Sequence, residues 1–175
     1  MYEKHDSFFT LKHKKNQKNS QIVDRIVKSS KNPSVVKKLS LAHQKILTAA
    51  TMDLLNNTQS ISKTKFNLKS NVIAEINTIA DSDLPRYLVH RYRYEIFPET
   101  KTVDSYPPYL QIEPTSICNY RCVFCFETDK SFTNKKNGFM GSMKLDMFKE
   151  IINQAEKNIE FISIASRGEP LVCPE

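Results

Sequence analysis

A polar, proline-containing segment divides this chain into two parts with different hydrophobic patterns. The segment PETKTVDSYPP spans residues 98–108 and holds three of the eight prolines in the 175 residues. Apolar residues before it recur at helical spacing, whereas those after it alternate or run continuously, as they do in strands. We therefore predict that residues 98–108 are a linker between an all-α part and a mixed α/β part.

The part before the linker predicts a disordered basic tail at residues 1–19 and a helical leader at residues 20–97. Within the leader, apolar spacing and the first-turn prolines indicate four helices. They are expected from Ser20 to about residue 30, from Pro33 to about Asn56, between Leu68 and Ile79, and from Leu84 onward.

The net charge of +7 is concentrated near the N-terminal end, because residues 1–45 carry 11 Lys/Arg against 3 Asp/Glu. A basic arm can contact nucleic acid or an anionic lipid surface. The excess is mostly lysine with few aromatic residues to stack on bases, so we interpret it as a solvated leader and expect neither nucleic acid nor a membrane as partner. No signal-peptide core or membrane-length apolar run occurs. We expect a cytoplasmic protein, where clustered cysteines bind metal more often than they form disulfides.

Residues 109–175 predict the order strand, loop, helix, strand. YLQIEPT alternates, SMKLDMFKEIINQAEKN is amphipathic, and IEFISIA is a near-continuous apolar run, typical of a parallel strand covered on both faces. In parallel sheets, ligands bind in loops at the carboxyl ends of the strands. The loops ICNYRCVFCFE and SRGEPL follow the two strands, so we expect them to face the same side.

Three of the four cysteines, Cys118, Cys122 and Cys125, lie within the first of these loops. Gaps of three and two residues let a curled backbone direct three thiolates into one small volume. Three thiolates with no nearby histidine suit an iron–sulfur cluster better than structural zinc, which generally takes four protein ligands. A cubane held by three cysteines leaves one iron open to a substrate or cofactor.

This spacing, with Phe124 just before the last cysteine, resembles the signature of the radical S-adenosylmethionine (SAM) enzymes. The resemblance implies a [4Fe-4S] cluster on Cys118, Cys122 and Cys125, whose open iron is chelated by the amino and carboxylate groups of SAM. An electron from the cluster then cleaves the sulfonium, and a 5′-deoxyadenosyl radical abstracts hydrogen from a substrate. It also implies that Phe124 lies near the adenine and that an electron donor such as flavodoxin or ferredoxin supplies the electron. No catalytic residue is assigned beyond the cluster.

The loop SRGEPL resembles the GGEP segment of the same family, which binds the ammonium group of SAM. By this resemblance Glu169 supplies the carboxylate and Gly168 permits close backbone approach, while Arg167 stands where the pattern has its first glycine. The segment entering the cysteine loop also resembles the subgroup with an additional C-terminal cluster domain, the SPASM type. A peptide, protein or sugar-derived substrate is plausible for that subgroup.

The resemblance covers about residues 106–175 and implies an α/β fold: the start of a radical SAM partial barrel, with only its first strand, helix and second strand, after an all-α leader. Barrels of this kind typically need about 250 residues. We therefore expect the chain to be either the N-terminal portion of a longer protein or the product of a truncated reading frame. In either case we expect it to be inactive by itself and to expose an apolar sheet edge.

A non-catalytic module that binds zinc or an iron–sulfur cluster is the alternative. A closed zinc site would need a fourth ligand, for which Cys173 in LVCPE is the candidate. The alternative leaves the Gly-Glu-Pro loop and Phe124 without a role, so we favour the radical SAM interpretation and regard Cys173 as a small packing thiol.

Overall fold

The structure, a computed structural model, describes residues 15–56, 62–156, 158–164 and 166–174. Its contacts divide the chain into two compact units, residues 1–104 and 105–175. The division falls within the predicted linker, although residues 98–100 of that linker continue a helix. Each unit is therefore described by itself.

The first unit is helical, as its sequence pattern predicts. Its helix α1 begins at Lys15, inside the predicted tail, whose residues 1–14 lie outside the described part of the chain. No described helix is both long and apolar enough to span a bilayer. The helices are α1 (Lys15–Ser30), α2 (Pro33–Val36), α3 (Leu41–Asn56), α4 (Ser70–Ile76) and α5 (Leu84–Thr100).

The single helix predicted from Pro33 to about Asn56 is instead two helices, α2 and α3. The hydroxyl of Ser40 accepts a hydrogen bond from the backbone N–H of His43 at 3.2 Å, so Ser40 caps the start of α3. Leu39 lies in the break and is nevertheless buried. The apolar spacing did not reveal the break because the connecting turn keeps Leu39 on the core side.

The core of the helical unit lies where α1, α3 and α5 pack against one another. Arg25 of α1 joins the end of α4 to this core: its guanidinium donates to the carbonyl of Ile76 at 2.7 Å and pairs with Asp81 at 2.6 Å. A cation at a helix C-terminus also meets the negative end of the helix dipole. The buried apolar side chains are Ile22, Ile26, Leu39, Leu47, Ala50, Phe66, Val72, Ile76, Leu84, Tyr87, Leu88, Val89 and Ile96.

The second unit is built on two short parallel strands, β1 (Tyr109–Gln111) and β2 (Phe161–Ser163). Tyr109 pairs with Phe161, and the ladder extends by one hydrogen bond from the Ile112 N–H to the Ser163 carbonyl at 2.8 Å. Between the strands lie α6 (Lys130–Thr133) and α7 (Leu145–Ala155). The mixed α/β class and the parallel pairing are confirmed, while the radical SAM barrel itself stays a prediction.

The cover predicted for both faces of β2 is absent from the described structure. Phe161, Ile162 and Ile164 remain about two-fifths exposed. The reason is architectural, because burying both faces of a strand requires a packed layer on each side of its sheet. In the described residues, this sheet has two strands, and α7 is its longest helical neighbour in sequence.

Candidate metal centre

The three clustered cysteines line one open pocket in the loop after β1. Its volume is about 220 Å³, part of it open to solvent. None of the three is in a disulfide. The structure thus brings Cys118, Cys122 and Cys125 to one place. The other lining residues are Tyr120, Arg121, Glu127 and Thr128.

Local backbone hydrogen bonds give the cysteine loop its curl. The N–H of Cys125 donates to the carbonyl of Cys122 at 2.9 Å, which closes the Cys-x-x-Cys turn. The N–H of Tyr120 donates to the Cys118 sulfur at 3.4 Å. The guanidinium of Arg121 donates to the carbonyl of Tyr120 at 2.7 Å and to that of Cys118 at 3.2 Å. The Tyr120 N–H thus contacts the Cys118 sulfur directly, whereas Arg121 holds the backbone of the loop through its carbonyls.

Among the described residues, no three His, Cys, Asp or Glu side chains converge closely enough to hold one metal ion. A single zinc ion needs its sulfur ligands within about 2.3 Å of one point. An iron–sulfur cluster is a larger body, and its cysteines surround it. Three cysteines around one open pocket are the donor set that the sequence predicts for a cluster, and both the cofactor and the ligand assignment stay predictions.

Cys173, the candidate fourth ligand of a closed zinc site, does not line this pocket. Its thiol donates instead to the carbonyl of Pro114 at 3.6 Å. Pro114 comes just before the cysteine loop in the sequence. Cys173 is partly buried. Its placement favours the packing role over metal ligation.

The base of the cysteine loop is held against the segment before α7. The buried hydroxyl of Thr115 lies 2.9 Å from that of Ser142, and the Ser116 hydroxyl accepts from the Gly141 N–H at 2.8 Å. The Met143 N–H donates to the carbonyl of Pro114 at 2.7 Å. The loop therefore rises from a fixed base toward a more exposed rim.

The Gly-Glu-Pro loop after β2 docks on this base, directly before Cys118. The backbone N–H of Glu169 donates to the carbonyl of Ile117 at 2.9 Å. Gly168 has φ +76°, and a Cβ at this position would lie 2.1 Å from the Thr115 carbonyl oxygen. Only glycine fits both the left-handed backbone and the close approach. The two loops expected to face the same side are thus adjacent.

The carboxylate of Glu169 accepts a hydrogen bond from the Leu171 N–H at 3.0 Å, capping the short 3₁₀ turn Pro170–Val172. This contact occupies one carboxylate oxygen and orients the side chain locally. Glu169 therefore has a structural role in this turn. Its predicted binding of the ammonium group of SAM stays a prediction.

Phe124 stands at the rim of the loop and is 90 % exposed. It does not line the pocket, unlike the cysteine that follows it. Val123 beside it is equally exposed. An exposed ring next to the cysteines is available to stack on a planar ligand, but its predicted contact with adenine stays a prediction.

Glu127 is a site residue that the sequence did not indicate. It lines the cysteine pocket, its side chain is only 10 % exposed, and its Oε1 lies 3.7 Å from Nε of Arg167. Its position two residues after Cys125 is the sequence feature that could have indicated a place in the site. The partner is 40 positions away, which no local pattern reveals.

No family model matches the chain, and neither a curated protein nor a solved structure matches it. The functional interpretation therefore depends on the residues and their arrangement.

Proposed function

We propose that this chain is the cluster-binding and SAM-binding part of a radical SAM enzyme, acting on a substrate that is not identified. Cys118, Cys122 and Cys125 would hold a [4Fe-4S] cluster, and Gly168 and Glu169 would meet the methionine part of SAM, with Phe124 near its adenine. When bound, the cluster and SAM would supply the chemistry, which is reductive cleavage of SAM followed by hydrogen abstraction. The chain's own residues would bind and orient the cluster and SAM.

The observation that carries the proposal is the adjacency of the two loops. The hydrogen bond from the Glu169 N–H to the Ile117 carbonyl sets the Gly-Glu-Pro loop one residue from the first cysteine. Both loops leave the carboxyl ends of paired parallel strands, where such sheets bind ligands. A pocket lined by three cysteines beside a loop that carries a carboxylate combines ligands for a metal cluster with an acceptor for the ammonium group of an amino-acid-like cofactor.

Anaerobic reconstitution of the full chain tests the proposal. We expect about four iron and four sulfide per chain, consistent with a cubane cluster, and a change in the EPR signal of the reduced protein when SAM is added. Cys118→Ala, Cys122→Ala and Cys125→Ala should each lose most of the bound iron. Cys173→Ala is the matched control and should keep it, because its thiol faces Pro114.

One zinc and no sulfide in the wild-type protein would instead support the non-catalytic metal-binding module. Loss of iron in Cys173→Ala equal to that in the other three variants would also contradict the proposal, because all four cysteines would then be ligands and leave no open iron for SAM.

A further inference from the structure

The side chain of Arg167 bridges the loop after β2 to the part of the chain that follows the cysteines. Its Nε lies 3.7 Å from Oε1 of Glu127, and its guanidinium carbon lies 5.6 Å from the centre of the Phe126 ring. Its Nη2 donates to the carbonyl of Phe132 at 3.3 Å. One side chain therefore contacts three groups on the far flank of the cysteine loop.

The ion pair between Arg167 and Glu127 is largely withdrawn from water. The two side chains are 19 % and 10 % exposed, and within the described residues neither Nε of Arg167 nor Oε1 of Glu127 has a hydrogen-bond partner. Charges attract more strongly where water is excluded, and a buried carboxylate is costly without a nearby cation. Arg167 is the cation paired with Glu127 in the pocket wall.

An aromatic cluster fixes the direction of Arg167. The rings of Phe126 and Phe132 meet edge to face at 5.5 Å, and Phe139 lies 6.1 Å from Phe132. The guanidinium lies over the ring of Phe126, because the face of an aromatic ring attracts cations. The sulfur of Met140 lies 3.7 Å from Nη2 on the same side. These contacts and the ion pair with Glu127 together hold the guanidinium in one place.

We propose that Arg167 is a positioning residue, which couples the Gly-Glu-Pro loop to the cysteine loop and holds the Glu127 carboxylate in the wall of the cysteine pocket. The relevance of this coupling to a cofactor rests on the proposed function. The coupling itself rests only on contacts within this unit.

Two attachment points explain why this coupling matters. The Glu169–Ile117 hydrogen bond joins the loops on the side before the cysteines. Arg167 joins them on the side after the cysteines, through Phe126, Glu127 and Phe132. A single attachment lets one loop swing relative to the other, whereas two fix their relative orientation. Ligands that contact both loops need that orientation to be held.

The first test measures hydrogen exchange in the metal-free full chain. Arg167→Met keeps a long apolar side chain but loses the charge and the fork of donors. We expect exchange to rise about tenfold both in peptides covering 126–139 and in those covering 166–174, because a charged hydrogen bond and a cation–π contact are lost. Lys149→Met removes an exposed cation from α7 and is the control, with no change in either segment.

The second test uses the sign of a potential shift in the reconstituted protein. Reduction adds negative charge to a cluster, so Arg167→Met should lower its midpoint potential and Glu127→Gln should raise it. Arg167→Lys should keep the potential near wild type, because the charge is retained, while restoring exchange protection only in part. A residue needed only for folding would loosen the pocket in all three variants and shift their potentials in one direction.

The outcomes separate this inference from the proposed function. Unchanged exchange in both segments of Arg167→Met, or potential shifts of the same sign in Arg167→Met and Glu127→Gln, overturns the positioning role even if the wild type binds a cluster. If the wild type binds no cluster, the proposed function fails, and the exchange measurement on metal-free protein still decides whether Arg167 couples the loops.

Discussion

Arg93 and Asp104 form an ion pair in the helical unit whose guanidinium is almost fully buried. The Arg93 side chain is 3 % exposed, and its Nε lies 2.5 Å from Oδ2 of Asp104. We expect Asp104→Ala to lower the free energy of unfolding by about 2 kcal/mol, because the buried guanidinium of Arg93 loses its charged hydrogen bond to the Asp104 carboxylate. Denaturant unfolding of the full chain measures this change.

Asp81→Ala is the matched control for that measurement. Asp81 pairs with Arg25 at 2.6 Å, but its side chain is 65 % exposed, so water screens the interaction. We expect a loss of at most about 1 kcal/mol. Equal losses in Asp104→Ala and Asp81→Ala would show that burial does not decide the strength of these pairs.

Tyr87 makes the free energy of unfolding of the helical unit fall at alkaline pH. Burial, followed by its hydrogen bond to Glu75 at 2.7 Å, raises the pKa of Tyr87 well above the ordinary value of 10.0. Above about pH 10 the unfolded phenol ionises while the folded one keeps its proton, so the unfolded state binds fewer protons and stability falls as pH rises. Below that pH the contribution is fully present.

We therefore expect Tyr87→Phe to flatten the decline in unfolding free energy between about pH 10 and pH 12, as well as to lose about 1 kcal/mol at neutral pH with the hydrogen bond. Tyr94→Phe alters an exposed tyrosine on the same helix and serves as the control. A decline that is as steep in Tyr87→Phe as in the wild type would exclude Tyr87 as its source.

At the level of elements, the docking of the Gly-Glu-Pro loop depends on steric fit at Gly168. Gly138 has nearly the same backbone, with φ +75°, but a Cβ there would meet nothing within 4 Å. Both Gly168→Ala and Gly138→Ala carry the strain of a side chain in the left-handed region, about 1 to 2 kcal/mol. Gly168→Ala alone also drives a methyl group into the Thr115 carbonyl, so we expect it to displace the loop.

The displacement should be visible at the Glu169 amide, which donates to the Ile117 carbonyl in the docked loop. We expect its hydrogen exchange to become much faster in Gly168→Ala and to stay near wild type in Gly138→Ala. In reconstituted protein, Gly168→Ala should also weaken the EPR response to SAM. Equal exchange at this amide in the two variants would contradict the expectation. It would mean that backbone strain, and not the clash of a methyl group with the Thr115 carbonyl, decides whether the Gly-Glu-Pro loop stays docked.

The order of elements around this site was predictable from sequence because each element is a local pattern. Alternation marked β1, helical periodicity marked α7, and the apolar run marked β2, and all three are confirmed. The strands are shorter than their patterns. Pro114 has no N–H for a ladder, and the next residue, Thr115, forms its bridge with Ser142 instead.

The side-chain contacts of the site were not predictable in the same way. Arg167 meets Glu127 and Phe132 only because the turn after β2 folds back over the flank of the cysteine loop. Such contacts depend on tertiary approach across some 40 residues, and hydrophobic periodicity carries only local information. The exposure of Phe124 has the same origin, since a motif indicates residue types and not how a loop rim packs.

At the scale of the whole molecule, the two units differ in how much apolar surface they bury. The helical unit has a continuous core that includes Phe66, Leu84 and Leu88, all fully buried. Among the described residues of the second unit, the buried apolar side chains are Ile112 and Ala155. Because apolar burial is the main favourable term in folding, we infer that the second unit is the less stable of the two.

Hydrogen exchange of the full, metal-free chain measures this difference. We expect amides in α3 and α5 to exchange at least a hundredfold more slowly than those in β1, β2 and α7, because the helices open only with their core whereas the short sheet opens locally. Binding of a cluster would stabilise the second unit by mass action and slow exchange around the cysteine loop. Equal protection in both units of the metal-free chain would contradict the expectation, since it would show that the few buried residues of the second unit suffice to hold it closed.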